Sequence, residues 1–119
     1  MKQPQRGRDG RGMVTAELAV ATLAALTLLL VMLWGIYLVV LQLRCVDTAA
    51  AVARQAARGD AAGVRLARTQ APTGAEVSVV TRAEVVTVAV RLRTSSPGGL
   101  GRVTLHAEAQ VPKEPGGDS

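Results

Sequence analysis

The sequence predicts an α+β, membrane-anchored chain. A long N-terminal helix, transmembrane at first and amphipathic after, is expected to lie on a small three-stranded antiparallel sheet. Three observations predict this. No charged side chain stands between Glu17 and Arg44, and an apolar run longer than about 18 residues is helical in a bilayer because lipid offers the backbone no hydrogen-bond partner. Residues 44–58 then continue without glycine or proline and repeat alanine, the best helix former. From Val77 onward the apolar period changes from 3.6 to 2, the signature of half-buried strands.

The leader, residues 1–12, is polar, basic and glycine-rich, and Pro4, Gly7 and Gly10 oppose a helix. It has too little apolar surface to offset ordering, so disorder is expected. The span, 13–43, is too long for the 7–15-residue core of a cleaved secretory signal and should stay in the protein. Small residues (Ala16, Ala19, Ala21, Thr22, Ala24, Ala25) crowd its first half. They either fill space or let helices approach closely in lipid. Trp34 and Tyr37 lie toward the far end, where aromatic rings form interfacial belts.

The amphipathic region, 44–71, carries Val46, Ala49, Ala50, Ala53, Ala56 and Ala57 at helical spacing. One helix is therefore expected from about Val14 to Arg58, with those residues as a narrow apolar stripe. Gly59 suits the left-handed position that ends a helix. Asp60 suits the N-cap of a second helix running to about Gln70. In the β region, 72–112, Val77 and Val79 open a first strand, with a turn at Ala83–Glu84. Val86, Val88, Val90 and Leu92 share one face of a second strand. After a loop at 95–99, a third alternates Val103, Leu105, Ala107, Ala109 and Val111 with polar residues. A sheet with one apolar face needs a cover, and the amphipathic helix is the natural one. Residues 113–119 read as a flexible tail.

Composition narrows the function. The 119-residue chain has a formal charge of +5. The first 12 residues carry Lys2, Arg6, Arg8 and Arg11 against Asp9, and residues 44–71 carry five arginines against Asp47 and Asp60. From Pro72 on, acids and bases balance. Positive charge near both ends of a span suits membrane lipid as a partner. Trp34 and Tyr37 are the only aromatics, so the stacking platforms of a nucleic-acid binder are missing and no nucleic-acid partner is expected.

Chemistry has little to stand on, and no catalytic residue, cofactor or metal site is assigned. Cys45 is the only cysteine, which leaves a small interfacial side chain or an intermolecular disulfide. His106 and Glu108 share the polar face of a strand without a nucleophile beside them. The glycines of residues 97–101 precede a strand rather than a helix and no lysine follows, so they fail as a phosphate loop.

Glu17 is the residue that asks for more. An acid in a helix's first turn is favoured by the macrodipole, and an acid bordering a span also marks a functional site. Gly12 directly before the apolar helix, Glu17 five residues later and a basic leader ahead resemble the processing signal of type IV prepilins. The resemblance implies cleavage by a prepilin peptidase after Gly12. Met13 then becomes the new N-terminus, and Glu17 pairs with a neighbouring subunit's ammonium during assembly. The alanine–arginine stretch of residues 44–58 and the β-rich remainder resemble TadE-like minor pilins of the tight-adherence system.

That family implies a structural or assembly subunit of a pilus, a minor pilin or pseudopilin and not an enzyme. Its partners would be other pilin subunits and the assembly platform. It would be single-pass, with a cytoplasmic N-terminus and an extracytoplasmic C-terminal region, and a place in a surface pilus after processing. The other class open at this point is an unprocessed single-span anchor or accessory scaffold subunit of a secretion complex.

Overall fold

The computed structural model describes residues 6–115, with side chains from residue 11 onward. Helix α1 (Arg6–Ala57) is followed by α2 (Ala61–Arg68) and by strands β1 (Glu76–Arg82), β2 (Val85–Ser95) and β3 (Arg102–Pro112). The strands form one antiparallel sheet in the order β1-β2-β3. The chain divides into two compact units, one ending at Ile36 and one beginning at Tyr37.

In the first unit α1 begins at Arg6, where the sequence reading expected a disordered leader up to Gly12 and a helix from about Val14. Extending an existing helix adds one hydrogen bond per residue fixed and avoids the nucleation cost. That gain competes with about 1 kcal/mol lost at each of Gly7, Gly10 and Gly12. Lys2 and Pro4 lie outside the described residues. From Met13 to Leu33 every side chain of α1 is exposed. Thr15 and Thr27 donate their hydroxyls to the carbonyls of Arg11 and Leu23, each at 2.8 Å, so these hydroxyls need no other partner.

In the second unit the helix acquires an inside and an outside. Leu41, Cys45, Thr48, Ala49, Val52, Ala53 and Ala57 are buried. They meet Val86, Val88, Val90 and Leu92 of β2, together with Ala107 of β3 and Ala67 of α2. The expected face of β2 is the buried face, and the β3 alternation also holds. The helix stripe is corrected. Ala49, Ala53 and Ala57 belong to it, but Val46 is 46% exposed, and Ala50 and Ala56 are only half-buried. Leu41, Cys45, Thr48 and Val52 complete it, so the packed face starts inside the stretch assigned to the span. Helical spacing fixes the period of the stripe and not its phase, so Val46, Ala50 and Ala56 fall beside the packed face and Leu41, Cys45, Thr48 and Val52 fall on it. The Thr48 hydroxyl is satisfied by the Arg44 carbonyl at 2.7 Å.

The punctuation follows the sequence. Gly59 has φ 73°, and the amides of Gly59 and Asp60 donate to the carbonyls of Ala56 and Gln55, closing α1. The Asp60 carboxylate accepts from the Gly63 amide at 2.9 Å and caps α2. The register Arg82↔Val85 leaves Ala83 and Glu84 as a two-residue turn, with Ala83 at φ 53°. β2 runs through Ser95 into a short 3₁₀ turn at Pro97–Gly99, so the loop begins later than expected. The start of the tail is held: the Lys113 amide donates to the Glu84 carbonyl, and the Glu114 amide donates to the Ala57 carbonyl at 3.1 Å.

Candidate functional site

The residues singled out for processing and assembly all lie on the exposed N-terminal part of α1. Met13 is 73% exposed. Glu17 stands one turn on, an i,i+4 neighbour on the same helix face. At Gly12 an added Cβ would meet nothing within 4 Å, and its φ is not in the left-handed range. The fold therefore has no use for a glycine there, although glycine inside a helix costs about 1 kcal/mol relative to alanine.

Beyond Glu17 the apolar surface runs all round the helix. Leu18, Leu23, Leu30 and Ile36 are all more than half exposed, and no single face is favoured. Residues 18–40, before the packed face begins, span about 34 Å at about 1.5 Å per residue. By length and composition α1 is long and apolar enough to cross a membrane, whose hydrocarbon core is about 30 Å thick.

Cys45 is not an interfacial side chain. Its sulfur belongs to the core of the second unit with no exposure. Burial raises the thiol's pKa, and neighbouring Arg44 offsets this only in part. A thiol so placed is a poor nucleophile. His106 and Glu108 approach to 3.8 Å between Nε2 and Oε2, both about half exposed. Glu108 Oε1 also accepts from Gln110 at 3.0 Å. Among the described residues no three His, Cys, Asp or Glu side chains converge as a metal site would need.

The fold also gathers residues that lie far apart in the sequence. Tyr37, Leu41 and Arg44 of α1 share a concavity with Pro72, Leu92 and Arg93. An adjoining cleft of about 330 Å³ is lined by Arg93, Thr94, Ser95 and Arg102. Acids and bases do balance after Pro72, but no acid occurs between Glu84 and Glu108, while Arg91, Arg93 and Arg102 all fall there. The overall balance after Pro72 conceals that segregation.

No family model matches this chain, and neither the curated proteins nor the solved structures contain a significant match.

Proposed function

We propose that this chain is a TadE-like minor pilin or pseudopilin, a membrane-held structural or assembly subunit of a tight-adherence pilus. A prepilin peptidase would cut after Gly12. Residues 18–40 hold the chain in the membrane, with the leader cytoplasmic and the sheet unit outside. The observation that carries the reading is Gly12, a helix-weakening residue that nothing in the folded chain requires. A small side chain demanded from outside, by an enzyme that must fit the main chain into its site, accounts for it. The glycines at 7, 10 and 12 make this the part of α1 that unwinds at least cost, as cleavage requires.

After the cut, Met13 carries a new ammonium. The Glu17 carboxylate of a neighbouring subunit neutralises it where little water competes, which sets the step between subunits. The partners are then membrane lipid, the peptidase, other pilin subunits and the assembly platform.

A second reading has one observation in its favour. Helix α1 runs unbroken through the Gly12–Met13 bond, as it would in an unprocessed anchor or accessory scaffold subunit. The mass of the mature N-terminus separates the two. A chain beginning at Met13 supports processing, and one that keeps Lys2 and Arg11 refutes it. Gly12→Leu should leave the leader attached. Glu17→Val should be inserted and cleaved yet excluded from pili, because it leaves an unpaired charge near lipid. If Glu17→Val assembles normally, the acid serves only the helix dipole.

A further inference from the structure

The sheet unit has one end unlike the other. Its first residue, Tyr37, is where the exposed apolar helix enters, and Tyr37 lines one concavity with Arg44 and Arg93. The hairpin between β2 and β3 ends in a loop on the far side of Leu92 and Arg93 in the chain. The register pairs Ser95 with Arg102, so Arg93 and Arg102 are diagonal neighbours on the sheet face away from α1.

This loop is held, not slack. The Ser96 amide donates to the Gly101 carbonyl at 2.9 Å, and the Ser96 hydroxyl donates to the same oxygen at 3.1 Å. Gly98 and Gly99 take φ of 76° and 70°, values that favour glycine. The result presents Leu100, 91% exposed, beside arginines with no acid between Glu84 and Glu108 to neutralise them. The carboxylate at the start of β1, Glu76, is paired in register with Arg91. One exposed leucine means nothing by itself. Here it sits on a preorganised loop, two residues before Arg102 in the chain, on the unit that the apolar helix enters.

We propose that this end of the sheet unit docks on an anionic phospholipid surface. Leu100 enters the headgroup–acyl boundary, while Arg93 and Arg102 bind lipid phosphates in the cleft they line with Thr94 and Ser95. Arg44 takes a further headgroup. Tyr37 lies about 10 Å farther along α1, at the depth where tyrosine is enriched in membrane proteins. The inference rests on the reading of residues 18–40 as a membrane span. It adds a second point of attachment, which fixes the sheet unit against the bilayer until the subunit is withdrawn.

The test uses the full chain in phosphatidylcholine vesicles with and without phosphatidylglycerol, with brominated acyl chains as quenchers. Trp34, the only tryptophan, reports the span. In Trp34→Phe/Leu100→Trp, the only tryptophan reports the loop. Trp34 should be quenched in both lipids. The loop tryptophan should be quenched in phosphatidylglycerol vesicles, and much less in phosphatidylcholine or high salt. Arg93→Gln and Arg102→Gln should each weaken loop docking about fivefold, the effect of one basic residue near an anionic surface. A loop tryptophan that stays unquenched while Trp34 is quenched overturns the docking and leaves the span intact. Quenching that ignores phosphatidylglycerol and both arginines overturns the phosphate contacts. If Trp34 itself is unquenched, the span and the docking fall together.

Discussion

One helix carries two kinds of surface here. Before Leu41, α1 shows leucine, valine and alanine on every side, and its residues from Met13 to Leu33 are all exposed. From Leu41 to Ala57 a buried stripe stands against an exposed side that carries Arg44, Asp47 and Arg54 together with Leu43 and Val46. The difference lies in both the amount and the arrangement of apolar residues, because residues 41–57 also carry Gln42, Arg44, Asp47, Thr48, Arg54 and Gln55. An all-round apolar surface suits burial on every side, as in a membrane span. A stripe of alanine, cysteine, threonine and valine is narrow and shallow, and lets a helix lie close to the valine face of β2. Each half is useless in the other's surroundings, so a single charge should break one and spare the other.

That is the largest effect expected. Leu29→Asp should cost about 2.5–3.5 kcal/mol in membrane insertion and leave the sheet unit folded. Val88→Asp places an unpaired charge where exposure is 0%. Burying it costs more than so small a unit can spare, so the sheet should unfold while membrane association persists. Vesicle flotation reads the first property and hydrogen exchange at the β2 amides the second. If either variant loses both, the two halves are not independent.

The boundary between the halves is the next test. A fragment beginning at Arg44 lacks Leu41, which is 6% exposed, and Gln42, which donates to the His106 carbonyl at 2.9 Å. One beginning at Tyr37 keeps both. The shorter fragment should be less stable by about 3 kcal/mol, from one buried leucine and one hydrogen bond, as measured by urea denaturation. Equal midpoints would move the boundary back to Arg44, where the sequence had placed it.

The strands, the turn at Ala83–Glu84 and the Gly59–Asp60 junction were legible because they rest on local rules of alternation, turn chemistry and capping. The stripe was legible only in part. Its period is set by the helix, but its phase is set by the sheet, and residues such as Cys45 and Thr48 declare no preference until a partner face is present. The arginine end was not legible, because register brings Arg93 and Arg102 together while nine positions separate them in the chain. Gly12, Met13 and Glu17 were found as a pattern of neighbours, and the structure adds that no packing explains the glycine.

Phase can be tested with two valines six positions apart. Val52 has 0% exposure and Val46 has 46%. Val52→Ala should destabilise the sheet unit by about 2 kcal/mol, combining lost burial with the cavity left behind. Val46→Ala should stay within about 0.5 kcal/mol of the parent. Thermal unfolding of the Tyr37–Ser119 fragment measures both. A reversed order would restore the stripe that runs through Val46.

The smallest expected effect is a gain, and it too belongs to one half only. Ala83 opens the β1–β2 turn with φ 53°, a conformation in which its Cβ crowds the following carbonyl at a cost of roughly 1–2 kcal/mol. Glycine removes that strain but makes the unfolded chain more flexible, which returns about 0.4–1 kcal/mol. The balance favours Ala83→Gly by about 0.5 kcal/mol, or about 3 °C in Tm for a unit of this size. Residues 85–95 and 102–112 should keep their register, because Val86, Val88 and Val90 remain tied to the helix face and a slip by one would expose them. Membrane association should not change at all. A loss of stability in Ala83→Gly would mean that the turn is held against strain by contacts the alanine methyl itself makes.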